Sequence, residues 1–275
     1  TREKVPLAEG PAPFAALDGL DAALVVRARL ERDLPFLVDF TPGEALPHLC
    51  PACAPKAVEA FARRLGRALD GQVAVLVLGF DLQQVQQEPV RPRDLFFFAR
   101  HVFVARTREA KEAAALARDL AQLVRSAGWP VEAVRSPRPG AHFAVVLPQE
   151  GTRPARTVVF GAGGDRLYFG SSQRAAEAAL AVSERAGGPA FSLRIEPRIF
   201  ARDLIDDGGS AFPDRFDLRG AFSGVVIRLG ESLRRTPPIL VRAQPVGDHI
   251  EVQARLSLPP PEGEKVLGAG EVPPE

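Results

Sequence analysis

Cys50 and Cys53 are the two cysteines of the chain, and Pro51 and Ala52 separate them. A C-x-x-C pair can form a mutual disulfide, act as a redox couple or stay reduced. The pair comes just before Pro55 to Leu69, whose apolar periodicity predicts an amphipathic helix. A helix N-terminus stabilises a thiolate, because its unpaired N–H groups and its dipole present positive charge. The placement therefore fits a redox site or a disulfide that fixes the turn before the helix.

The segment around the cysteines reads LVDFTPGEALPHLCPACAPKAVEAFARRLGRALDGQVAVLVLGFD. Its order of strand, C-x-x-C, helix and apolar strand resembles thioredoxin-like proteins. That resemblance implies that Cys50 is the attacking thiol and Cys53 the resolving thiol. It also implies that Pro92 is the cis-proline that faces the dithiol. On this hypothesis the protein is a thiol–disulfide oxidoreductase.

A structural Cys50–Cys53 disulfide is the interpretation that we favour. The connection 41–49 is long for a thioredoxin-like unit, no tryptophan precedes Cys50, and a large part of the chain has no counterpart in that family. A disulfide that closes so small a loop stabilises by about 2 kcal/mol on the chain-entropy estimate. It would persist in an oxidising compartment. Zinc is disfavoured, because His48 and the cysteines lack a second C-x-x-C or histidine pair.

Other catalytic signatures are weak in this sequence. The glycine-rich segment 161–164 follows a predicted strand but precedes another strand, which indicates a hairpin turn rather than a dinucleotide loop. A P-loop, a G-x-S-x-G elbow and an S-x-x-K motif are absent from the sequence. We therefore expect no cofactor and favour a non-catalytic protein over an enzyme.

Isolated polar residues favour structural interpretations. Three histidines fall in predicted strands or a hairpin with no acid or nucleophile at a telling spacing: His101, His142 and His249. We expect hydrogen-bonded sheet residues at these positions. Asp203, Asp206 and Asp207 precede a glycine pair but lack the D-x-D-x-D-G register of a calcium loop. A solvated turn is the favoured interpretation there.

The densest run of basic residues is Arg91, Arg93, Arg100, Arg106 and Arg108. Phenylalanines at 96–98 lie between these arginines. Such a run could bind a small polyanion or single-stranded nucleic acid. The net charge of the chain is only +1, and arginines alternate with acids elsewhere. A buried aromatic strand with charged ends is therefore favoured, and we expect an envelope protein, a peptide or a lipid as partner rather than nucleic acid.

Composition is that of an average globular protein, with 46% apolar and 25% charged residues. The longest apolar stretch, Val73 to Phe80, is far shorter than the roughly 20 residues of a membrane-spanning helix. The sequence starts at Thr1 and contains no methionine, a start that removal of an export signal or a truncation would leave. We expect a periplasmic or extracellular location, with the cytoplasm as the alternative.

The pattern of elements predicts an α+β fold, a largely antiparallel sheet packed with three main helices. The helices are Pro55 to Leu69, Arg108 to Ala127 with Thr107 as N-cap, and a third that Ser171 or Ser172 caps and that ends near Arg185. A final hairpin joins Ile239 to Gln244 with His249 to Leu258, and its apolar alternation predicts one buried face.

Domain organisation is expected to be a disordered tether at 1–13, a globular region at 14–258 and a disordered tail at 259–275. FVARTREAKEAAALA and YFGSSQRAAEAALAV each run from a strand through a hydroxyl cap into an alanine-rich helix. Two related halves, 14–130 and 131–258, would explain this similarity. The alternative is that any strand-to-helix junction looks like this.

Four segments, LDAALVVRARL, LDGQVAVLVLGFD, DRLYFGSSQRAAEAAL and GDHIEVQARLSL, share patterns of apolarity and turns with one group of proteins. In these the chain resembles exported bacterial envelope domains of unknown function. The resemblance implies an α+β domain in the cell envelope with a binding or scaffolding role, and it carries no site residues.

Overall fold

A computed structural model of the chain describes residues 7–8, 14–30, 53–81, 99–147, 155–182, 189–203 and 230–256. Within these ranges the chain has an α+β fold built on one sheet. The strands are β1 (Leu24–Arg29), β2 (Leu69–Phe80), β3 (Ala99–Thr107), β4 (Val131–Ala133), β5 (Gly140–Leu147), β6 (Arg156–Gly163), β7 (Arg166–Gly170), β8 (Phe191–Ile195), β9 (Ile239–Val246) and β10 (His249–Arg255). Their order across the sheet is β10-β9-β8-β1-β2-β3-β7-β6-β5-β4, and all neighbours pair antiparallel.

The helices of the described residues are α1 (Pro55–Ala68), α2 (Ala110–Ser126), α3 (Gln173–Ala181) and the short α4 (Pro197–Phe200). A 3₁₀ turn covers Ala15–Gly19, and residues 230–235 are helical. The three predicted helices are present, but these additional ones mean that a count of three main helices is not confirmed. No helix in the described ranges is both long and apolar enough to span a bilayer.

The two faces of the sheet are covered by different helices. On one face, which we call the α3 face, Leu76 and Val102 are fully buried with Ala175 and Ala179 of α3. Small alanine side chains let a helix lie close to a sheet of branched residues. On the opposite face, the α2 face, Ala121 of α2 belongs to a separate apolar cluster. The sheet is therefore enclosed by helices on both sides over β3, β7 and β6.

Strand alternation in β3 agrees with its sequence pattern. Val102 and Val104, two residues apart, are both buried on the α3 face, whereas Phe96 and Phe98 of the aromatic run lie outside the described residues. The β6–β7 hairpin over Gly164 and Asp165 is also confirmed.

The predicted halves interleave in the sheet. Strands β1 to β3, from 14–130, lie in the middle, and strands from 131–258 flank them on both sides. The division into two halves is therefore not confirmed. Within the predicted N-terminal tether, Leu7 is buried and forms an antiparallel bridge with Leu30. Apart from Leu7 and Ala8, the residues of 1–13, and the whole of 259–275, lie outside the described residues.

The predicted caps of the two alanine-rich helices have different outcomes. Ser172 is the N-cap of α3, and its Oγ accepts a hydrogen bond from the amide of Ala175 at 3.2 Å. Thr107 is not the N-cap of α2, so that prediction was wrong. The reason is that Thr107 still pairs with Leu69 as the last residue of β3. Its hydroxyl instead donates to the carbonyl oxygen of Asp165 at 2.9 Å, which ties β3 to the β6–β7 turn.

The final hairpin departs from its sequence pattern. β9 and β10 pair as predicted over Gly247 and Asp248, but the apolar face of β10 is not buried. Val252 is 61% exposed and Leu256, just beyond the strand, is 60% exposed. The physical reason is position, because β10 is the outermost strand of the described sheet and lies beyond the described helices that pack on its faces.

Candidate functional site

Cys53 lies just ahead of α1 and is only 6% exposed. Its sulfur is 3.7 Å from the carbonyl oxygen of Leu123, near the end of α2. Val58 of α1 and Trp129, which follows α2, pack in the same apolar cluster. The cysteine is thus at a contact between two helices.

The other predicted members of this site, Cys50, His48 and Pro92, lie outside the described residues. The Cys50–Cys53 disulfide therefore stays a prediction, as does the thioredoxin-like assignment of the two thiols.

Among the described elements, helix α1 packs chiefly on α2. Pro55 occupies its first turn, where the missing N–H is not needed. Arg64 of α1 forms an ion pair with Asp119 of α2, a second link beside the Cys53 cluster. Since α2 packs on the sheet and α1 packs on α2, Cys53 is one layer away from the sheet. A thioredoxin-like hypothesis instead needs a strand that delivers the dithiol directly to the end of a sheet.

His101 is held within the sheet, as predicted. Its Nδ1 is 2.9 Å from the carbonyl oxygen of Ala99, which can only accept, so Nδ1 carries the proton. Ser171 accepts from the His101 amide at 3.1 Å and donates to the same Ala99 carbonyl at 2.6 Å. Burial lowers the pKa of His101, and the Ala99 hydrogen bond opposes this with a lesser effect. The imidazole is therefore a neutral structural group.

Acidification should destabilise the protein through His101. Because the folded pKa lies below the unfolded value of 6.5, the unfolded chain takes up the proton first. The contribution of the neutral imidazole to stability is complete above about pH 6.5 and is lost as the pH falls towards the folded pKa. Replacing His101 with glutamine should flatten this part of the profile, measured as urea midpoints across the range. His249→Gln, at an exposed position, should follow the wild type; if both variants did so, His101 would not be the titrating group.

His142 and Tyr168 form a buried pair on the α3 face. The Tyr168 hydroxyl is 2.9 Å from His142 Nδ1, and His142 Nε2 is 2.9 Å from the Arg138 carbonyl oxygen. The carbonyl fixes the proton on Nε2, so Nδ1 accepts from the tyrosine. Burial, with a smaller effect of the Glu177 charge, raises the pKa of Tyr168, which keeps it a phenol. Every polar atom of this pair is used inside the protein.

Removing the tyrosine hydroxyl should leave a buried acceptor on His142 without its donor. We expect Tyr168→Phe to cost about 1 to 3 kcal/mol in the free energy of unfolding. Adding His142→Phe should cost less in the Tyr168→Phe background than in the wild type, because the acceptor is then already unsatisfied. A double-mutant cycle by denaturant unfolding measures this coupling. Additive losses would show that the 2.9 Å contact contributes nothing.

Asp203 is the main residue that the sequence interpretation misassigned. It is 2% exposed, so a solvated turn is wrong at this position. Its carboxylate accepts from the Phe80 amide at 2.8 Å and from Arg202 Nε at 2.6 Å. Gly79 makes room for it, because a Cβ at that position would come within 2.0 Å of Asp203 Oδ2. Asp206 and Asp207 lie outside the described residues.

Two of the three described arginines of the basic run are paired with carboxylates, and the third, Arg108, is exposed. Arg106 Nε is 2.7 Å from Asp165 Oδ2, and Arg100 lies 3.5 Å from Asp203. Both arginines are therefore in ion pairs rather than presented to a polyanion. Arg91 and Arg93 lie outside the described residues.

Comparisons with protein-family models, with curated proteins and with solved structures found no match to this chain. In the described ranges, no three His, Cys, Asp or Glu side chains are grouped in a way that could hold a metal ion.

Proposed function

We propose that this protein is a non-catalytic binding or scaffolding domain, exported or attached to the cell envelope, with Cys50–Cys53 as a structural disulfide. The observation that supports this most is the position of Cys53 on the contact between α1 and α2, with its sulfur against the Leu123 carbonyl. A disulfide there would fix the chain immediately before Pro55. It would therefore hold the head of α1 on α2.

The buried polar residues add support. His101, His142, Tyr168 and Asp203 each bind groups of this same chain, through the hydrogen bonds described above. A catalytic group has to reach a substrate, and a buried group that is already satisfied gains nothing by doing so. Such residues favour a rigid framework over a reaction centre.

Thiol–disulfide exchange is the second candidate, favoured by one observation. Cys53 is separated from the first residue of α1 only by Ala54, close to the helix N-terminus that stabilises thiolates. Exchange also needs an approach path to a sulfur atom. Since Cys53 is buried between two helices, that path would have to lead to Cys50.

The proposal also includes an oxidising compartment and a relation between two strand–helix units. A cysteine pair used as a structural disulfide suits an oxidising compartment, which supports export over the cytoplasm. We also infer that β3–α2 and β7–α3 are related units, since β3 and β7 are neighbours in the sheet and each leads into an alanine-rich helix.

The deciding experiment is Cys50→Ser. Loss of a disulfide worth about 2 kcal/mol should lower Tm by about 4 to 8 °C in a domain of this size. Wild-type protein treated with dithiothreitol should melt with the variant, a control that separates the lost disulfide from the cost of serine. The wild type should show no turnover in insulin reduction. Rapid exchange with a dithiol and turnover at micromolar protein would instead support the oxidoreductase.

A further inference from the structure

Strand β10 has one edge with no partner strand among the described residues. In the described sheet it pairs with β9 alone, whereas the opposite edge strand, β4, is only three residues long. Every residue of β10 except Ile250 is exposed. An open edge with exposed apolar side chains such as Val252 is a template for another strand.

The backbone of β10 presents alternate residues to that edge. The hairpin turn has two residues, Gly247 and Asp248, so Val246 and His249 pair directly on either side of it. Such a flanking pair exchanges both backbone hydrogen bonds, and the residues that bond to the partner strand then alternate. The amide and carbonyl of Val252 and of Ala254 therefore point away from β9.

The side chains of β10 are complementary to a second copy of the same strand. An antiparallel pair centred on Gln253 places Glu251 of each copy opposite Arg255 of the other. It also places Val252 opposite Ala254 and so pairs the outward amides and carbonyls. Opposite charges across a strand pair are stabilising and like charges are destabilising.

Neighbouring registers lack this match. Centring the pair on Glu251 sets two carboxylates against each other, and centring it on Val252 sets Glu251 against Gln253. Within one copy, Glu251 accepts hydrogen bonds from Gln253 at 2.9 Å and from Gln244 at 3.2 Å. These bonds orient the carboxylate while it remains exposed at the edge.

We propose that β10 is a homodimerisation edge, at which two copies pair antiparallel about Gln253 and join their sheets into one. The partner is a second copy of this chain, because the charge order of the strand is complementary to itself. This inference does not depend on the cysteine pair.

Charge reversal tests the register. In full-length protein, Glu251→Arg and Arg255→Glu each create two like-charge pairs, and each should weaken self-association about tenfold or more in sedimentation equilibrium. An equimolar mixture of the two variants should associate again, because both cross-strand pairs become Arg–Glu. The double variant Glu251→Arg/Arg255→Glu should also associate with itself.

Ala254→Pro tests the edge itself. It removes an outward amide and leaves the β9 ladder in place, so the variant should be monomeric with an unchanged circular dichroism spectrum. If proline disturbs the hairpin, the two charge variants, which lie at exposed positions, still test the proposal. A monomeric wild type at the highest attainable concentration would overturn the proposal. So would a dimer that is unaffected by Ala254→Pro, or single variants that fail to associate when mixed.

Discussion

Phe160→Ala should destabilise the protein by about 3 to 5 kcal/mol, the range for an aromatic side chain removed from a core. Phe160 is 1% exposed on the α2 face, clustered with Ala121 of α2 and with Val145 and Val158. Its ring centre lies 5.6 Å from that of Phe143. Truncation would leave a cavity between the sheet and the helix. Urea unfolding at equilibrium measures the loss.

Phe103→Ala is the matched control. Phe103 lies on the same face of the sheet but is 39% exposed. We expect less than half of the Phe160→Ala loss, because less surface is buried and solvent fills the space. Since α1 packs on α2, Phe160→Ala should also speed reduction of the proposed Cys50–Cys53 disulfide by dithiothreitol. Equal losses in the free energy of unfolding from the two variants would show that Phe160 is not part of a packed core between the sheet and α2.

Local periodicity explains why much of the fold could be predicted. The alternation of Val102 and Val104 and the helical spacing of Val58 and Ala62 each report which side of an element is buried. Such signals need only neighbouring residues. They do not show which helix or strand packs against the buried side. The order of strands across the sheet was accordingly not predicted.

Residues that depend on distant partners were predicted poorly. Asp203 reads locally as part of a polar turn, yet its hydrogen-bond partner Phe80 is 123 positions away. Thr107 and Ser172 look equivalent before alanine-rich helices, but only Ser172 has left its strand at that point. The burial of a carboxylate or the end of a strand is decided by tertiary packing, which no local pattern contains.

The candidate site was predictable in part for the same reason. The position of Cys53 ahead of α1 follows from Pro55 and the periodicity after it. Its burial against Leu123 does not, because that contact spans 70 positions. The sequence pattern of β10 predicted which of its side chains are apolar, but it did not predict that the strand lies at the edge of the sheet. That mismatch between pattern and burial is what motivates the proposed dimer.

Arg166→Met should cost about 3 kcal/mol in the free energy of unfolding, from the loss of charged hydrogen bonds at a helix end. Arg166 is buried in β7, and its Nη1 donates to the carbonyl oxygens of Ala179 at 3.1 Å and Val182 at 2.7 Å. These carbonyls end α3, where the helix dipole is negative. The guanidinium also lies 5.3 Å from the ring centre of Phe14.

Denaturant unfolding of Arg166→Met distinguishes a structural arginine from one that binds a ligand. A structural role predicts a large loss of stability, with Arg166→Lys intermediate, because an ammonium keeps the charge but not the planar fork. Arg108→Met, at an exposed position, should stay within about 0.5 kcal/mol of the wild type. If Arg166→Met left the stability unchanged, Arg166 would have no structural role. The α3 face would then have to be considered as a binding surface for anions.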